Sequence, residues 1–301
     1  MRIVSLLPSA TEIVGALGLA DRLVGRSEEC DWPPEVRALP AVTASRVDTS
    51  ALAGAEIDAA VRAALAEGRS LYAVDAALLE RLQPDLILTQ DLCEVCAVSS
   101  AEVGRLCSVE AEVVSLDAHT IGELCERIEE LAARLGVPER GADVVATLRR
   151  RLEAVRTRIG DEPRPRVFVA EWLEPPFAGG HWVPEMVAAA GGECVLGRAG
   201  EPSYATTWEE VRAAAPDVII AAPCGYDRLR AAQEAATSVP DLGCPVVAVD
   251  ANAFFSRCGP RLADGVEQLA AILRPRSGLS ATADRARGDG ETGRFPRGQA
   301  G

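Results

Sequence analysis

The chain has 301 residues, 48% of them hydrophobic, and its 31 Lys and Arg against 45 Asp and Glu leave a net charge of −14 at pH 7. That length fits two domains of ~100–200 residues, each able to bury a core. So acidic a balance excludes the basic patch that phosphate backbones need and the Lys/Arg clusters that hold proteins on anionic membranes, so neither nucleic acid nor membrane is an expected partner.

In chain order, Met1-Arg2 leads straight into Ile3-Val4-Ser5-Leu6-Leu7-Pro8, an apolar run too short for a signal-peptide core, with no small-residue cleavage site behind it. No apolar stretch approaches the ~20 residues of a membrane helix. The nine cysteines are odd in number and lack the spacing of a disulfide framework. These features predict a reduced, cytoplasmic chain, or an extracytoplasmic one if the start was assigned too late.

Ile3–Leu7 reads as a strand, and Ser9-Ala10-Thr11-Glu12 as a capping box with Ser9 as N-cap and Glu12 reaching back. The helix ends near Gly18, and Leu23-Val24 opens the next strand. Leu78–Leu82 is helical, while Pro84–Thr89 and Glu112–Leu116 read as strands. Short apolar runs alternating with helical periods predict an α/β fold with parallel sheets. Ile121, Leu124, Ile128, Leu131 and Leu135 then keep a 3-4 spacing, broken at Gly136-Val137-Pro138 and resumed from Val145 to Ile159. A helix of ~20 residues spans ~30 Å, enough to act as a strut between two lobes.

The second half repeats the first. Pro84-Asp85-Leu86-Ile87-Leu88 recurs as Pro216-Asp217-Val218-Ile219-Ile220, and Glu112–Ala118 as Pro245–Ala251. Glu12-Ile13-Val14 with Gly18 recurs as Glu185-Met186-Val187 with Gly191, and Arg2-Ile3-Val4 is mirrored by Arg166-Val167-Phe168. Four matched segments in one order predict two similar Rossmann-like lobes joined by a long backbone helix, with a ligand cleft between them. The expected boundaries are 1–118 and 161–274 for the lobes, 119–160 for the linking helices, and 275–301 for a tail without apolar period, expected to be disordered.

Four Trp, three Tyr and five Phe are all the aromatics. Phe168 fits a core strand and Trp208 the underside of a helix. Most others fall in connections: Trp32 in Cys30-Asp31-Trp32-Pro33-Pro34, Tyr72 in a loop before a helix, and Trp172 and Phe177 after the Val167–Glu171 strand. Trp182 follows Gly179-Gly180-His181, Tyr204 precedes a helix, Tyr226 follows a strand, and Phe254-Phe255 follow the last one. Ligands of open α/β sheets bind outside the carboxyl ends of the strands, so these rings predict an aromatic cleft for a large, flat, partly apolar ligand. The alternative for each ring is packing at a lobe edge or at the lobe contact. Pro8, Ser9 and Gln90 stand at the same strand ends and join the candidate ligand contacts.

Cys93-Glu94-Val95-Cys96 reads as a redox pair or half a metal site, but no second C-x-x-C exists. His119 and His181 are the only histidines; His181 could be an axial ligand to a bound metal centre, or a loop residue in an ordinary hydrogen bond. No G-x-S-x-G elbow and no Walker or G-x-G-x-x-G loop follows a strand. The chain reads as a binder without a cofactor, with a thiol- or metal-dependent enzyme or sensor at Cys93 and Cys96 as the alternative.

Several segments resemble the helical-backbone substrate-binding proteins of ABC importers, which carry cobalamin, haem and iron–siderophores, and are most similar to the cobalamin branch. They are Val4–Glu12 with Ala16-Leu17-Gly18-Leu19, Asp31-Trp32-Pro33-Pro34, Pro175-Pro176-Phe177, Ala190-Gly191-Gly192-Glu193, and Phe255-Ser256-Arg257 with Gly259-Pro260-Arg261. The resemblance covers roughly residues 2–274. It implies a rigid, monomeric, two-lobed corrinoid binder with Trp32, Phe177 and Phe255 on the ligand and Tyr72 and Tyr204 near family aromatic positions. It also implies permease docking through one carboxylate per lobe near a helix start. Glu209 fits in the second lobe, whereas Ala77 stands at the matching place in the first, with Glu80 the nearest Glu. An insertion across about Ala53–Leu71 departs from the family. If the ligand were instead a haem or an anionic iron chelate, Arg46 and Arg257 are the candidate cations.

Overall fold

The computed structural model describes residues 1–49, 52–67, 70–92, 98–106, 110–160 and 162–274. The first lobe runs β1 (Ile3–Ser5), α1 (Pro8–Ala16), β2 (Leu23–Arg26), β3 (Thr43–Ser45) and α2 (Gly54–Ala66). It continues with β4 (Tyr72–Val74), α3 (Ala76–Leu82), β5 (Leu86–Thr89), α4 (Ser100–Leu106) and β6 (Glu112–Ser115). Two helices, α5 (Ile121–Arg134) and α6 (Pro138–Ile159), cross to the second lobe. There follow β7 (Arg166–Leu173), β8 (Pro176–Ala178), α7 (Val183–Ala189), β9 (Glu193–Cys194), β10 (Tyr204–Ala205) and α8 (Trp208–Ala213). The chain closes with β11 (Val218–Ala221), α9 (Arg228–Ser238), β12 (Val246–Ala248), α10 (Ala251–Phe254) and α11 (Leu262–Leu273).

The repeat in the sequence is a repeat in topology. The first sheet is parallel in the order β2-β1-β5-β6. The second holds β9, β7, β11 and β12 in the same parallel arrangement, with β8 and β10 added antiparallel at the far end of β7. The Pro-Asp motifs have one job in both lobes. Asp85 Oδ2 accepts the Arg2 backbone N–H at 2.6 Å, and Asp217 Oδ2 accepts that of Arg166 at 2.7 Å. Gly18 and Gly191 close α1 and α7 at φ +69° and +84°, where a side chain is strained.

Thr120 caps α5, accepting the Glu123 N–H, and Pro138 starts α6 at a position whose N–H has no helical partner anyway. The 22 residues of α6 span about 33 Å at 1.5 Å per residue. One core runs from Ile3 and Leu86 through Leu131, Val145 and Val155 to Val167, Ile220 and Val266, so both lobes share apolar packing through the helices. Swinging one lobe from the other would open that core. Among the described residues no helix is long and apolar enough to cross a membrane.

Three local expectations are corrected. Ser9 lies inside α1, whose N-cap is Leu7 without a side-chain cap; Pro8 fills the first helical position, and Glu12 turns away to two arginines. Tyr72 is in β4, paired with Ser45, and not in a loop. Trp172 belongs to β7, which runs on to Leu173 because β8 pairs with its end. The expected tail lies outside the described residues.

Candidate functional site

The loop after β2 and the face of α1 meet the segment between α10 and α11 across the lobe junction. Arg257, 5% exposed, donates through Nη1 to Glu12 Oε1 at 3.3 Å and to Asp31 Oδ1. Its Nη2 reaches Asn252 Oδ1 at 2.9 Å and the Glu29 carbonyl at 3.2 Å. Arg261 Nη1 lies 3.4 Å from the same Glu12 oxygen. Burial pushes the Glu12 carboxyl up, and the two arginines pull it only part of the way back. For Arg257 burial works downward, but the hydrogen bond and charge of Asp31, with Glu12, more than offset it. Arg257 is therefore committed to the chain's own carboxylates, which corrects its reading as a cation free for an anionic ligand.

Above this network Arg261 lies between two rings, its guanidinium carbon 4.5 Å from the Trp32 centroid and 4.9 Å from that of Phe254. Trp32 comes from the first lobe and is 43% exposed, while Phe254 is half-buried on the second. Together they form an accessible aromatic and cationic surface at the lobe junction. Arg261 escaped the list of expected contacts, although Gly259-Pro260-Arg261 was the signal. Pro8 and Gln90 are half-buried and Ser9 buried, at the ends of β1 and β5. Phe177 is half-buried on β8. Tyr204 donates its hydroxyl to the Leu196 carbonyl at 2.8 Å, with Arg198 over its ring.

Other expected contacts sit elsewhere. Phe255 is 2% exposed and Trp182 9%, both in the shared core, with Trp182 Nε1 donating to the Phe255 carbonyl at 2.9 Å. Tyr72 packs against the core of the first lobe. Trp172 meets Tyr226 edge to face at 5.5 Å, beneath α2. Glu80 and Glu209 are both exposed. Helices α3 and α8 are repeat mates, each leading into a Pro-Asp strand; Glu209 is the second residue of α8 and Ala77 the second of α3, so Glu80 stands a turn further along.

The two histidines meet across the lobes, ring centroids 5.9 Å apart, with His119 Nδ1 3.0 Å from Glu123 Oε2 and His181 at φ +49°. Burial, then the neighbouring His119, lowers the pKa of His181 below 6.5. An unfolded chain therefore takes up this proton first, and the His181 contribution to stability is lost as pH falls through 6.5. Glu12 has the opposite sign, since its raised carboxyl favours the folded state on protonation. Denaturant melts at pH 7.5 and 5.5 should show the wild type losing more stability on acidification than His181→Asn. Equal losses would remove the histidine from the account.

Among the described residues no three His, Cys, Asp or Glu could hold a metal ion together. Burial pushes Cys30 up to about 11 and Cys194 to about 12, so neither thiol is a ready nucleophile. Cys93 and Cys96 lie outside the described residues.

Two α/β lobes, each with a parallel core sheet, share a helical backbone and one apolar core and meet where α1 contacts the segment between α10 and α11, which is the architecture of a two-lobed binding protein. The chain belongs to the periplasmic binding protein family, whose model matches residues 3–241. The vitamin B12-binding protein of Vibrio cholerae serotype O1 is 27% identical over 278 residues, covering 91% of this chain and 89% of that one. The solved periplasmic vitamin B12 binding protein of Vibrio cholerae superposes with a TM-score of 0.62 at 25% identity, over 91% of this chain and 96% of its own. A periplasmic haem-binding protein from Pseudomonas aeruginosa reaches 0.69 at 21% identity, covering 91% and 93%, which is a likeness of fold alone.

Proposed function

We propose that the chain is the solute-binding component of an ABC importer and that its solute is a corrinoid. The observation that carries this reading is the exposed Trp32 with Arg261 between it and Phe254 at the lobe junction, an accessible pair of rings and a cation against which a macrocycle can pack. Relatives named for vitamin B12 binding support it along nine-tenths of the chain. Docking on a permease would use Glu209 on α8, with Glu80 the weaker mate on α3. Of the two compartments open on the sequence, family membership supports the extracytoplasmic one.

Haem is the second reading, since the same exposed Trp32 and its Arg261 neighbour would also suit a flat ring with carboxylates. An anionic iron chelate has less support, because Arg257 is neutralised by Glu12 and Asp31. The thiol-dependent alternative has no support from the relatives. Calorimetric titration with cyanocobalamin, haemin and a ferric siderophore tests these in one series. One-to-one heat with cyanocobalamin is expected. Binding of haemin alone would move the ligand, and silence with all three would overturn the reading.

A further inference from the structure

The chain between β3 and β4 carries α2, which packs on the second lobe. It leaves through β3 and returns through β4, an antiparallel stalk pairing Thr43 with Val74 and Ser45 with Tyr72. The Arg46 N–H donates to the Leu71 carbonyl at 2.8 Å and closes the stalk. Beyond it α2 reaches the second lobe, where Ile57, 7% exposed, clusters with Tyr226 and Ala231, and Trp172 packs alongside. The Gly54 N–H donates to Glu234 Oε1 at 2.8 Å, and Arg230 Nη2 to the Thr49 carbonyl at 2.9 Å.

The place α2 covers is the one where a ligand would be expected. Trp172 stands at the carboxyl end of β7 and Tyr226 just beyond β11, the edge at which parallel sheets receive ligands. Their rings meet at 70° and two polar atoms are left over. Trp172 Nε1 is buried with no hydrogen-bond partner among the described residues; Tyr226, only 3% exposed, has the Arg230 guanidinium 4.0 Å from its ring centroid, and its O–H, which a guanidinium cannot accept, donates to none of the described residues. An unpaired buried donor costs more than an ordinary bond gains, so packing alone would favour Phe at both positions.

We propose that Trp172 and Tyr226 form a ligand subsite that α2 covers, and that a flat ligand with hydrogen-bond acceptors on its rim displaces α2 to reach them. The inference rests on the reading of the chain as a cleft-binding protein. The rings supply apolar contact, and the two unpaired donors, N–H and O–H, call for amide or carboxylate oxygens. Helix α2 is then an internal competitor. Its covered fraction lowers apparent affinity in proportion to the open population that remains.

Two variants of the full chain separate cover from subsite. Ile57→Asp is expected to raise hydrogen exchange across residues 54–66 and to tighten binding about tenfold, by raising the open population. Tyr226→Phe should leave that exchange unchanged and weaken binding about fivefold, as loss of one hydrogen bond does. Cyanocobalamin, with its amide rim, and haemin, with its carboxylates, are the probes. If the wild type binds but Tyr226→Phe matches it, or bound ligand protects 54–66 from exchange, the subsite is overturned and the cleft reading stands. If the wild type binds neither probe, both fall.

Discussion

Arg257→Met is expected to destabilise the chain by about 3–5 kcal/mol, the cost of stranding one member of a buried ion pair. Glu12 is 3% exposed and its Oε2 has no partner among the described residues, so without Arg257 the carboxylate keeps one cation, Arg261 at 3.4 Å. Arg261 cannot take over fully, because its guanidinium is held between Trp32 and Phe254. The pair joins α1 of the first lobe to the segment before α11 of the second, so the loss falls on the lobe junction. Adding Glu12→Gln to Arg257→Met should restore most of the stability, since the charges that remain, Asp31 and Arg261, are less buried than the pair removed. The Glu12 carboxyl already sits above its usual 4.5. Removing a cation raises it further, so the Arg257→Met loss should shrink as pH falls and Glu12 takes a proton. Urea melts of both variants at pH 7.5 and pH 5 measure all three expectations. A loss below about 1 kcal/mol at pH 7.5, typical of a surface pair, would refute the buried-pair account.

The same residues show why the fold was legible in the sequence and the site was not. A strand such as Pro216–Ile220 announces itself locally, and its likeness to Pro84–Leu88 places it in a second lobe. The pairing of Asp85 with Arg2 and of Asp217 with Arg166 repeats that likeness in hydrogen bonds. Ser9-x-x-Glu12 carries an equally local signal, yet the structure overrides it. The deciding partner of Glu12 is Arg257, 245 positions away, and no window along the chain can see it. Among the aromatics, location in a connection does not by itself separate Trp32, 43% exposed, from Trp182 and Phe255, which lie in the shared core. The segment across about Ala53–Leu71 was legible only as a departure from the resembled family. Its destination was not, because a helix pattern tells which face is apolar and says nothing about which lobe that face will meet.

Trp32→Ala is expected to weaken cyanocobalamin binding about a hundredfold, the scale of an aromatic hot spot. Its effect on stability should stay below about 1 kcal/mol, the worth of an exposed cation–π contact. The two scales separate because Trp32 is 43% exposed, so little of its ring supports the core and much of it is available to a ligand. Arg261 keeps its bond to Glu12 and its contact with Phe254 when the indole is removed, so the junction beneath should hold. Trp32→Phe should recover part of the affinity, since a smaller ring retains a face. Phe255→Ala would be a poor substitute for this test: Phe255 is 2% exposed in the shared core and its carbonyl anchors Trp182, so truncation there confounds folding with binding. Calorimetry beside a thermal melt reads both scales on one protein. Affinity of Trp32→Ala within threefold of the wild type would take the macrocycle off the Trp32–Arg261–Phe254 surface and leave the strand ends beneath α2 as the place to look.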